Sequence, residues 1–260
     1  MPFVNHEELL SLAVDAAQEA GDVLRSYFRT GLRASDTKSS TTDPVSEADR
    51  DAERRLVEFL RARRPGDAFI GEEGGERGGD SGVRWILDPL DGTVNFLYGI
   101  AQWGVSVAAE DDEGMLVGVV HDALHDETFA ARRGGGAHLN GEPIRVSSQD
   151  DLAQALVGTG FSYDARARAQ QAGIIQRVLP SVRDVRRAGS VALDLAHLAC
   201  GRLDAFYEAP MEIWDRAAGV VILQEAGATV SDLPAPLGLS TGVIAANPRL
   251  HEQLRALVLG

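Results

Sequence analysis

Acidic residues stand at three places where an apolar segment of the chain ends or begins. Glu72 follows one such segment, Asp88 and Asp91 follow a second, and Asp215 stands where a long apolar helix is predicted to begin. Oxygen-only donors of this kind suit Mg²⁺, which keeps several waters and binds through a few carboxylates together with substrate phosphate. Carboxylates about 4 Å apart repel by roughly 4 kcal/mol per pair at an effective dielectric near 20, so a convergent set needs cations or raised pKa values. The three segments together indicate a divalent-cation site.

A signal for phosphate binding follows the second segment directly. Pro89 keeps Asp88 extended, and a short helix can begin at Gly92 and Thr93. Backbone N–H groups at a helix start bind phosphate oxygens. Each acid also has a structural interpretation: Asp88 and Asp215 as helix caps, Asp91 as an acid in the first turn of a helix, and Glu72 as part of a solvated turn.

Two helices are predicted to precede these motifs. Apolar residues recur at spacings of three and four over residues 5–28, with Asn5 as the N-cap and Gly31 at the end. A second helix begins at Ser46 and stops at Pro65. The polar residues 35–43 between them predict a surface loop that could act as a lid.

After the second helix, the spacing of the apolar residues changes to that of short strands. Segments 68–70, 83–87, 104–109, 115–120 and 128–131 are separated by turn residues and predict a largely antiparallel sheet backed by the two helices. From about residue 150, strands (156–158, 185–187, 205–207, 243–246) alternate with helices (166–178, 190–200, 214–226, 248–258), which favours an α/β half. We expect an α/β protein of layered α+β type in two parts, residues 1–145 and 146–260, with a cleft between them.

Composition excludes several classes of protein. The 260 residues are 44% hydrophobic, which excludes a disordered or fibrous chain. The formal net charge of -14 repels phosphodiester backbones, so we expect no nucleic-acid partner. No apolar run approaches about 18 residues and no signal peptide is evident, so we expect no membrane association. The single cysteine, Cys200, excludes an intramolecular disulfide and fits a cytoplasmic location.

Three motifs resemble those of the inositol monophosphatase family of Mg²⁺-dependent, lithium-sensitive phosphatases. They are Ile70-Gly71-Glu72-Glu73, Asp88-Pro89-Leu90-Asp91-Gly92-Thr93-Val94-Asn95-Phe96 and Trp214-Asp215-Arg216-Ala217-Ala218-Gly219. The resemblance extends over nearly the whole chain and includes Lys38, Asp49, Gly158-Thr159-Gly160-Phe161, Gly189-Ser190 and Tyr207-Glu208. It implies an αβαβα sandwich of the inositol monophosphatase and fructose-1,6-bisphosphatase type, usually a homodimer, with the site between the halves.

The resemblance also implies roles for individual residues and two to three Mg²⁺ ions. Glu72, Asp88 and the Leu90 carbonyl would hold the first ion, and Glu72 would contact a weaker third. Asp88, Asp91 and Asp215 would hold the second. Thr93, hydrogen-bonded to Asp49, would orient the attacking water together with Glu72. The implied substrate-binding residues are Gly92, Thr93, Ser190, Glu208, Asp215 and Lys38, with Glu208 accepting hydrogen bonds from polyol hydroxyls.

The leading functional interpretation is a Mg²⁺-dependent phosphomonoesterase that acts on myo-inositol 1-phosphate or a similar small polyol phosphate. Asp91-Gly92-Thr93-Val94-Asn95-Phe96 looks like the inositol branch, because bisphosphate nucleotidases and histidinol phosphatases often carry Lys after the threonine. Those two activities and fructose-1,6-bisphosphatase activity stay open as alternatives. An alternative of another class is a non-catalytic binding role with the transcription machinery.

Overall fold

Helices lie close to where the apolar periodicity predicts them. The computed structural model describes residues 5–30, 36–37, 44–45 and 47–260. Asn5 is confirmed as the first N-cap, because its side chain accepts hydrogen bonds from the N–H groups of Glu7 and Glu8. Gly31, Ser46 and most of the predicted surface loop lie outside the described residues. The helices are α1 His6–Thr30, α2 Glu47–Arg63, α3 Thr93–Leu97, α4 Ala165–Val178, α5 Val191–Ala199, α6 Ile213–Glu225 and α7 Pro248–Leu259.

The first large sheet is antiparallel except at one pair of strands. The strands are β1 Asp36–Thr37, β2 Pro44–Val45, β3 Ala68–Gly71, β4 Gly75–Arg77, β5 Arg84–Asp91, β6 Gly104–Asp111, β7 Gly114–Asp122, β8 Glu127–Arg132, β9 Ala137–Leu139 and β10 Glu142–Ile144. Eight of them form a sheet in the order β10-β9-β8-β7-β6-β5-β3-β4, while β1 and β2 pair separately. Only the β3–β5 pair in this sheet is parallel among the described residues. The predicted antiparallel sheet is confirmed; β4, β9 and β10 were not predicted.

The second sheet is mixed. Its strands are β11 Leu156–Thr159, β12 Asp184–Arg186, β13 Ala205–Glu208, β14 Thr229–Leu233 and β15 Gly242–Ala246, in the order β12-β11-β13-β15-β14. β11 pairs in parallel with β12 and β13, as the predicted alternation of strands and helices requires. β15 runs antiparallel to β13 and to β14, the strand that was not predicted.

Three apolar cores hold five layers together, the second of them extending on both sides of the central helices. Leu24 of α1 and Leu60 of α2 pack on one face of the first sheet. Leu195 of α5 and Ile222 of α6 belong to the core between the two sheets. α4 and α7 cover the outer face of the second sheet, where Leu250 is buried. Burying one such leucine stabilises the fold by roughly 1.5–3 kcal/mol. The order is α-β-α-β-α, as expected, whereas a division into two domains near residue 145 stays a prediction.

The described helices include no candidate membrane span. None of the helices in the described parts of the chain has both the length and the apolar character needed to cross a bilayer.

Candidate active site

Strand register brings the first two acidic motifs together. β3 and β5 lie side by side in parallel with Gly71 opposite Leu87. An acid follows each of these two residues: Glu72 comes directly after β3, and Asp88 lies within β5. The pairing of β5 with β6 is interrupted by a bulge between Asp88 and Asp91. Bulges of this kind redirect side chains, and this one lies between two acids of the site.

The turn after β5 requires a glycine. Gly92 has a φ of 95°, and a Cβ there would lie 2.9 Å from the carbonyl oxygen of Gln102. Both conditions exclude other residues without a backbone shift. The short helix α3 then begins at Thr93, as predicted.

The hydroxyl of Thr93 has a different partner from the expected one. Its Oγ1 donates to the carbonyl oxygen of Leu90 at 3.0 Å, so the expected hydrogen bond to Asp49 is wrong in this structure. Local bonds of this type from a threonine to a carbonyl three residues back compete well with distant acceptors. The bond ties the threonine to the carbonyl that was expected to contact a metal ion.

Asp91 is held by the start of α5. Ser190 is the N-cap of this helix and is fully buried. Asp91 Oδ2 accepts hydrogen bonds from Ser190 Oγ at 2.5 Å and from the N–H of Ala192 at 2.7 Å. The hydroxyl that was expected to bind substrate is therefore used to orient an acid of the site.

The two capping interpretations have different outcomes. Asp88 lies inside β5, where its Oδ1 accepts a hydrogen bond from the N–H of Leu90 at 3.0 Å, so the interpretation as a helix cap is wrong. Asp215 does belong to a capping box at the start of α6: its Oδ2 accepts from the N–H of Glu212 at 2.8 Å. Asp215 therefore stabilises the helix and also faces the cavity described next.

A cavity of about 510 Å³ lies between the ends of the two sheets. The predicted residues that line it are Glu72, Asp88, Leu90, Asp91, Gly92, Thr93, Ser190, Glu208 and Asp215. Asp49 lies next to this group, 1% exposed, with a carboxylate oxygen within 4.8 Å of oxygens of Glu72 and Glu73. Lys38 lies outside the described residues. The structure thus brings every described member of the predicted set to one place.

Burial and mutual repulsion raise the pKa values of the acids. Burial is the main cause for Asp88, and the charges of Glu72, Asp91 and Asp215 raise its pKa further. Burial also raises the pKa of Asp91 to about 6, against the hydrogen bonds from Ser190 and Ala192. The pKa of Asp215 is raised by burial and next by Asp91. A bound divalent cation would reverse these shifts, and the oxygen-only donor set fits a hard cation.

Three of the acids are each anchored through one carboxylate oxygen. Among the described residues, the hydrogen bonds involve Asp88 Oδ1, Asp91 Oδ2 and Asp215 Oδ2. Fixing one oxygen orients the other, as the partners of metal ligands generally do. The arrangement therefore presents pre-oriented oxygens to the cavity.

The opposite wall carries groups suited to hydroxyls. Glu208 ends β13, and a Cβ at Gly160 would lie 2.0 Å from its Oε2, so the glycine leaves room for the carboxyl group. The pKa of Glu208 is raised to about 8, first by burial and next by Asp194, while Arg187 lowers it. Asp194 on α5 and Arg187 also line the cavity.

The sequence analysis did not identify Asp194 or Arg187 as residues of the site. Asp194 lies inside an apolar helix segment with no motif around it. Arg187 belongs to a basic run with Arg183 and Arg186 beside Asp184, and such a run is typical of a solvated strand edge. No signal in the sequence distinguishes Arg187 from Arg183 and Arg186, and all three are exposed. For Asp194, an acid within the otherwise apolar α5 is a usable signal, because such residues are rarely buried without a role.

Comparison with known proteins identifies the family. The model of the inositol monophosphatase family matches residues 5–259. The chain belongs to the inositol monophosphatase family. It is 43% identical over 277 residues to the inositol-1-monophosphatase of Mycobacterium leprae strain TN, covering 98% of this chain and 95% of the relative. It is 38% identical to the Nus factor SuhB of Salmonella typhimurium strain 14028s, covering 95% and 94%.

A solved structure agrees with this assignment. The inositol monophosphatase from Anabaena (Nostoc) sp. PCC 7120 superposes with a TM-score of 0.86 at 34% identity, covering 98% of this chain and 97% of the other. The protein is therefore a phosphatase with the inositol monophosphatase fold.

Proposed function

We propose that the protein is a Mg²⁺-dependent phosphomonoesterase acting on myo-inositol 1-phosphate or a similar small polyol phosphate. The observation that carries this proposal is the convergence of Glu72, Asp88, Asp91 and Asp215 in one cavity, opposite Glu208. The cavity volume of about 510 Å³ suits a ligand of this size. The name of the Mycobacterium leprae relative supports the same substrate.

The proposed cation ligands are the acids of the cavity. Glu72, Asp88, the Leu90 carbonyl, Asp91 and Asp215 would hold two to three Mg²⁺ ions. When bound, such ions lower the pKa of water, neutralise phosphate charge and stabilise the leaving oxygen of an in-line displacement. The raised pKa values imply that cation binding competes with protons, so the cation affinity falls as the pH falls through about 6.

The chain's own groups position the substrate. The N–H groups of Gly92 and Thr93 would donate to phosphate oxygens at the turn that only glycine permits. The Thr93 hydroxyl and Glu72 would orient the water that attacks phosphorus, with Asp49 beside Glu72. Glu208 would accept hydrogen bonds from polyol hydroxyls. A role for Lys38 in the preceding loop stays a prediction.

Phosphate release from myo-inositol 1-phosphate, with and without Mg²⁺, tests the proposal. We expect activity that requires Mg²⁺ and a loss of about 100-fold or more in kcat for Asp88→Asn, since removing one ligand of the transition state costs roughly 3 kcal/mol. Asp122→Asn is a matched control, because Asp122 is also buried in the first sheet but does not line the cavity. An Asp88→Asn variant with more than a tenth of the wild-type kcat at saturating Mg²⁺ would contradict the assignment.

The same assay separates the alternative phosphatase activities. Fructose 1,6-bisphosphate, histidinol phosphate and a bisphosphorylated nucleotide are compared with inositol 1-phosphate by kcat/KM. A preference of tenfold or more for any of the first three would replace the inositol substrate while keeping the cation site.

A binding role with the transcription machinery is the second candidate. The 38% identity to a relative named Nus factor favours it. The net charge of -14 opposes direct RNA contact, so a protein partner is expected. Addition of the protein to a purified transcription assay tests this role, and an effect that persists in Asp88→Asn would show that it is independent of catalysis.

Three further expectations follow from the family. A homodimer is tested by light scattering, inhibition by lithium is tested in the phosphatase assay, and a cytoplasmic location is tested by cell fractionation.

A further inference from the structure

A buried carboxyl group lies beneath the turn that carries Glu72. Glu53 is on α2, one helical turn after Asp49, and is 5% exposed. Its Oε2 accepts a hydrogen bond from the backbone N–H of Glu73 at 2.7 Å. Burying a carboxylate is costly unless it is hydrogen-bonded, so this contact is part of what makes the placement of Glu53 tolerable. The side chain therefore links α2 to the turn between β3 and β4.

Two glycines of the turn leave the space that this carboxyl group fills. A Cβ at Gly74 would lie 2.3 Å from Glu53 Oε1, and a Cβ at Gly71 would lie 3.0 Å from the same oxygen. Contacts below 3.0 Å are not tolerated without movement of one partner. The backbone from Gly71 to Gly74 thus lies directly against the carboxyl group.

The turn sets the position of the acids that follow β3. Carboxylate oxygens of Glu72 and Glu73 lie within 4.8 Å of an oxygen of Asp49. Asp49 and Glu53 lie on the same face of α2, because residues four apart on a helix are neighbours. The same face of α2 therefore carries Asp49, a member of this acidic group, and Glu53, which accepts a hydrogen bond from the backbone N–H of Glu73.

We propose that Glu53 is a positioning residue of the active site: by accepting the N–H of Glu73, its carboxyl group holds the 71–74 turn so that Glu72 can bind a divalent cation. This inference rests on the proposed role of Glu72 as a cation ligand. Glu53 itself does not line the cavity that holds the acids, so it acts through the turn.

The first test measures cation binding without catalysis. Mn²⁺ binding to the full chain in the absence of substrate is followed by electron paramagnetic resonance. We expect Glu53→Ala to weaken binding about tenfold or more, since loss of a group that orients a metal ligand commonly costs 10–100-fold in affinity. Glu53→Gln keeps an acceptor oxygen and the side-chain shape, so its affinity should stay within about threefold of wild type. Hydrogen exchange of the Glu73 amide should become faster in Glu53→Ala.

A second test uses the glycine on the other side of the contact. Gly74→Ala should weaken Mn²⁺ binding because its methyl group would push against Glu53 Oε1. Gly78→Ala is the matched control, since a Cβ at Gly78 has no heavy atom within 4 Å. In a Glu53→Ala background, Gly74→Ala should cause no further loss, because the oxygen that it would meet is gone. This non-additivity is a specific signature of the contact.

Controls separate positioning from general stability. Glu58→Ala makes the same chemical change at an exposed position of α2 and should bind Mn²⁺ as wild type does. Asp67→Asn alters another buried, hydrogen-bonded carboxyl group and should lower thermal stability without changing Mn²⁺ affinity. If Glu53→Ala does not fold, Glu53→Gln and the two glycine variants still decide the question.

Two results would overturn the proposal. A folded Glu53→Ala protein whose Mn²⁺ affinity lies within twofold of wild type would show that the turn needs no support from Glu53. Gly74→Ala with the affinity of Gly78→Ala would show the same. A wild-type protein that binds no Mn²⁺ would instead contradict the proposed function, while the Glu73 amide would still show its dependence on Glu53.

Discussion

Asp194 makes the stability of the cation-free protein depend on pH in a direction that can be worked out. The residue is 3% exposed on α5, and burial raises its pKa from 3.8 to about 8, with a further rise from Asp91 and a lowering by Arg187. In the unfolded chain the group is solvated and titrates near its ordinary pKa. The folded state therefore holds a proton that the unfolded state has lost at pH values between about 4 and 8.

The size of the effect follows from the difference between the two pKa values. One proton bound only in the folded state lowers the free energy of unfolding by about 1.4 kcal/mol for each pH unit of increase. Between pH 5 and pH 7 the contribution of Asp194 is thus a loss of about 2.7 kcal/mol. Asp194→Asn keeps the shape of the side chain and removes the titration. The variant should lose about 1.4 kcal/mol less stability per pH unit than the wild type.

Urea unfolding in the presence of a chelator measures this slope at pH 5, 6 and 7. Asp112→Asn is the matched control, because Asp112 is exposed in the turn between β6 and β7. Its slope should equal that of the wild type. Parallel lines for Asp194→Asn and the wild type would refute the argument, since they would mean that Asp194 is charged in the folded protein at neutral pH.

Two substitutions test whether Thr93 acts mainly in catalysis and Glu208 mainly in substrate binding. Thr93→Ala should lower kcat about 100-fold or more with KM changed only a few-fold, and Thr93→Ser should recover most of the activity, because the hydroxyl orients water and adds little to ground-state binding. A large rise in KM at unchanged kcat would make Thr93 a substrate clamp instead. Glu208→Ala should raise KM for myo-inositol 1-phosphate about tenfold or more and leave a small phosphate ester without polyol hydroxyls nearly unaffected, since it removes hydrogen bonds to two hydroxyls that are worth about 0.5–1.5 kcal/mol each. Equal losses on both substrates would show that Glu208 supports the cation site or the fold.

The fold was predictable where one face of an element is consistently apolar. α1 and α2 bury broad apolar stripes, and the central strands β5 to β8 are mostly buried, so their periods are clear in the sequence. The missed strands are short or largely exposed. β10 contains Pro143, and β14 has a single buried residue, Leu233, so edge position and partner strands, rather than composition, decide their structure.

The site was predictable only as far as its motifs reach. Glu72 and Asp88 each follow an apolar segment in the sequence, and the parallel pairing of β3 and β5, which was not predicted, places them together. The Thr93 hydroxyl, by contrast, found a local acceptor that no motif indicates. Glu53 could not be recognised, because an acid on the amphipathic α2 looks like any solvated residue until the packing partners of the helix are known. Asp194 was recognisable only as an acid within the otherwise apolar α5, which does not say what its role is.

The way the acids are distributed along the chain affects how the protein is made. Glu72, Asp88 and Asp91 leave the ribosome well before Ser190 and Asp215, which come from α5 and α6. Until those helices dock, the edge of the first sheet carries three like charges and lacks both the clamp on Asp91 and the fourth carboxylate. The proposed second cation, which Asp88, Asp91 and Asp215 would hold, would therefore stabilise only the completed chain, by an amount that grows with the logarithm of its free concentration. Nascent or truncated chains that lack Asp215 would gain nothing from this second cation, so it would favour finished molecules over partial ones.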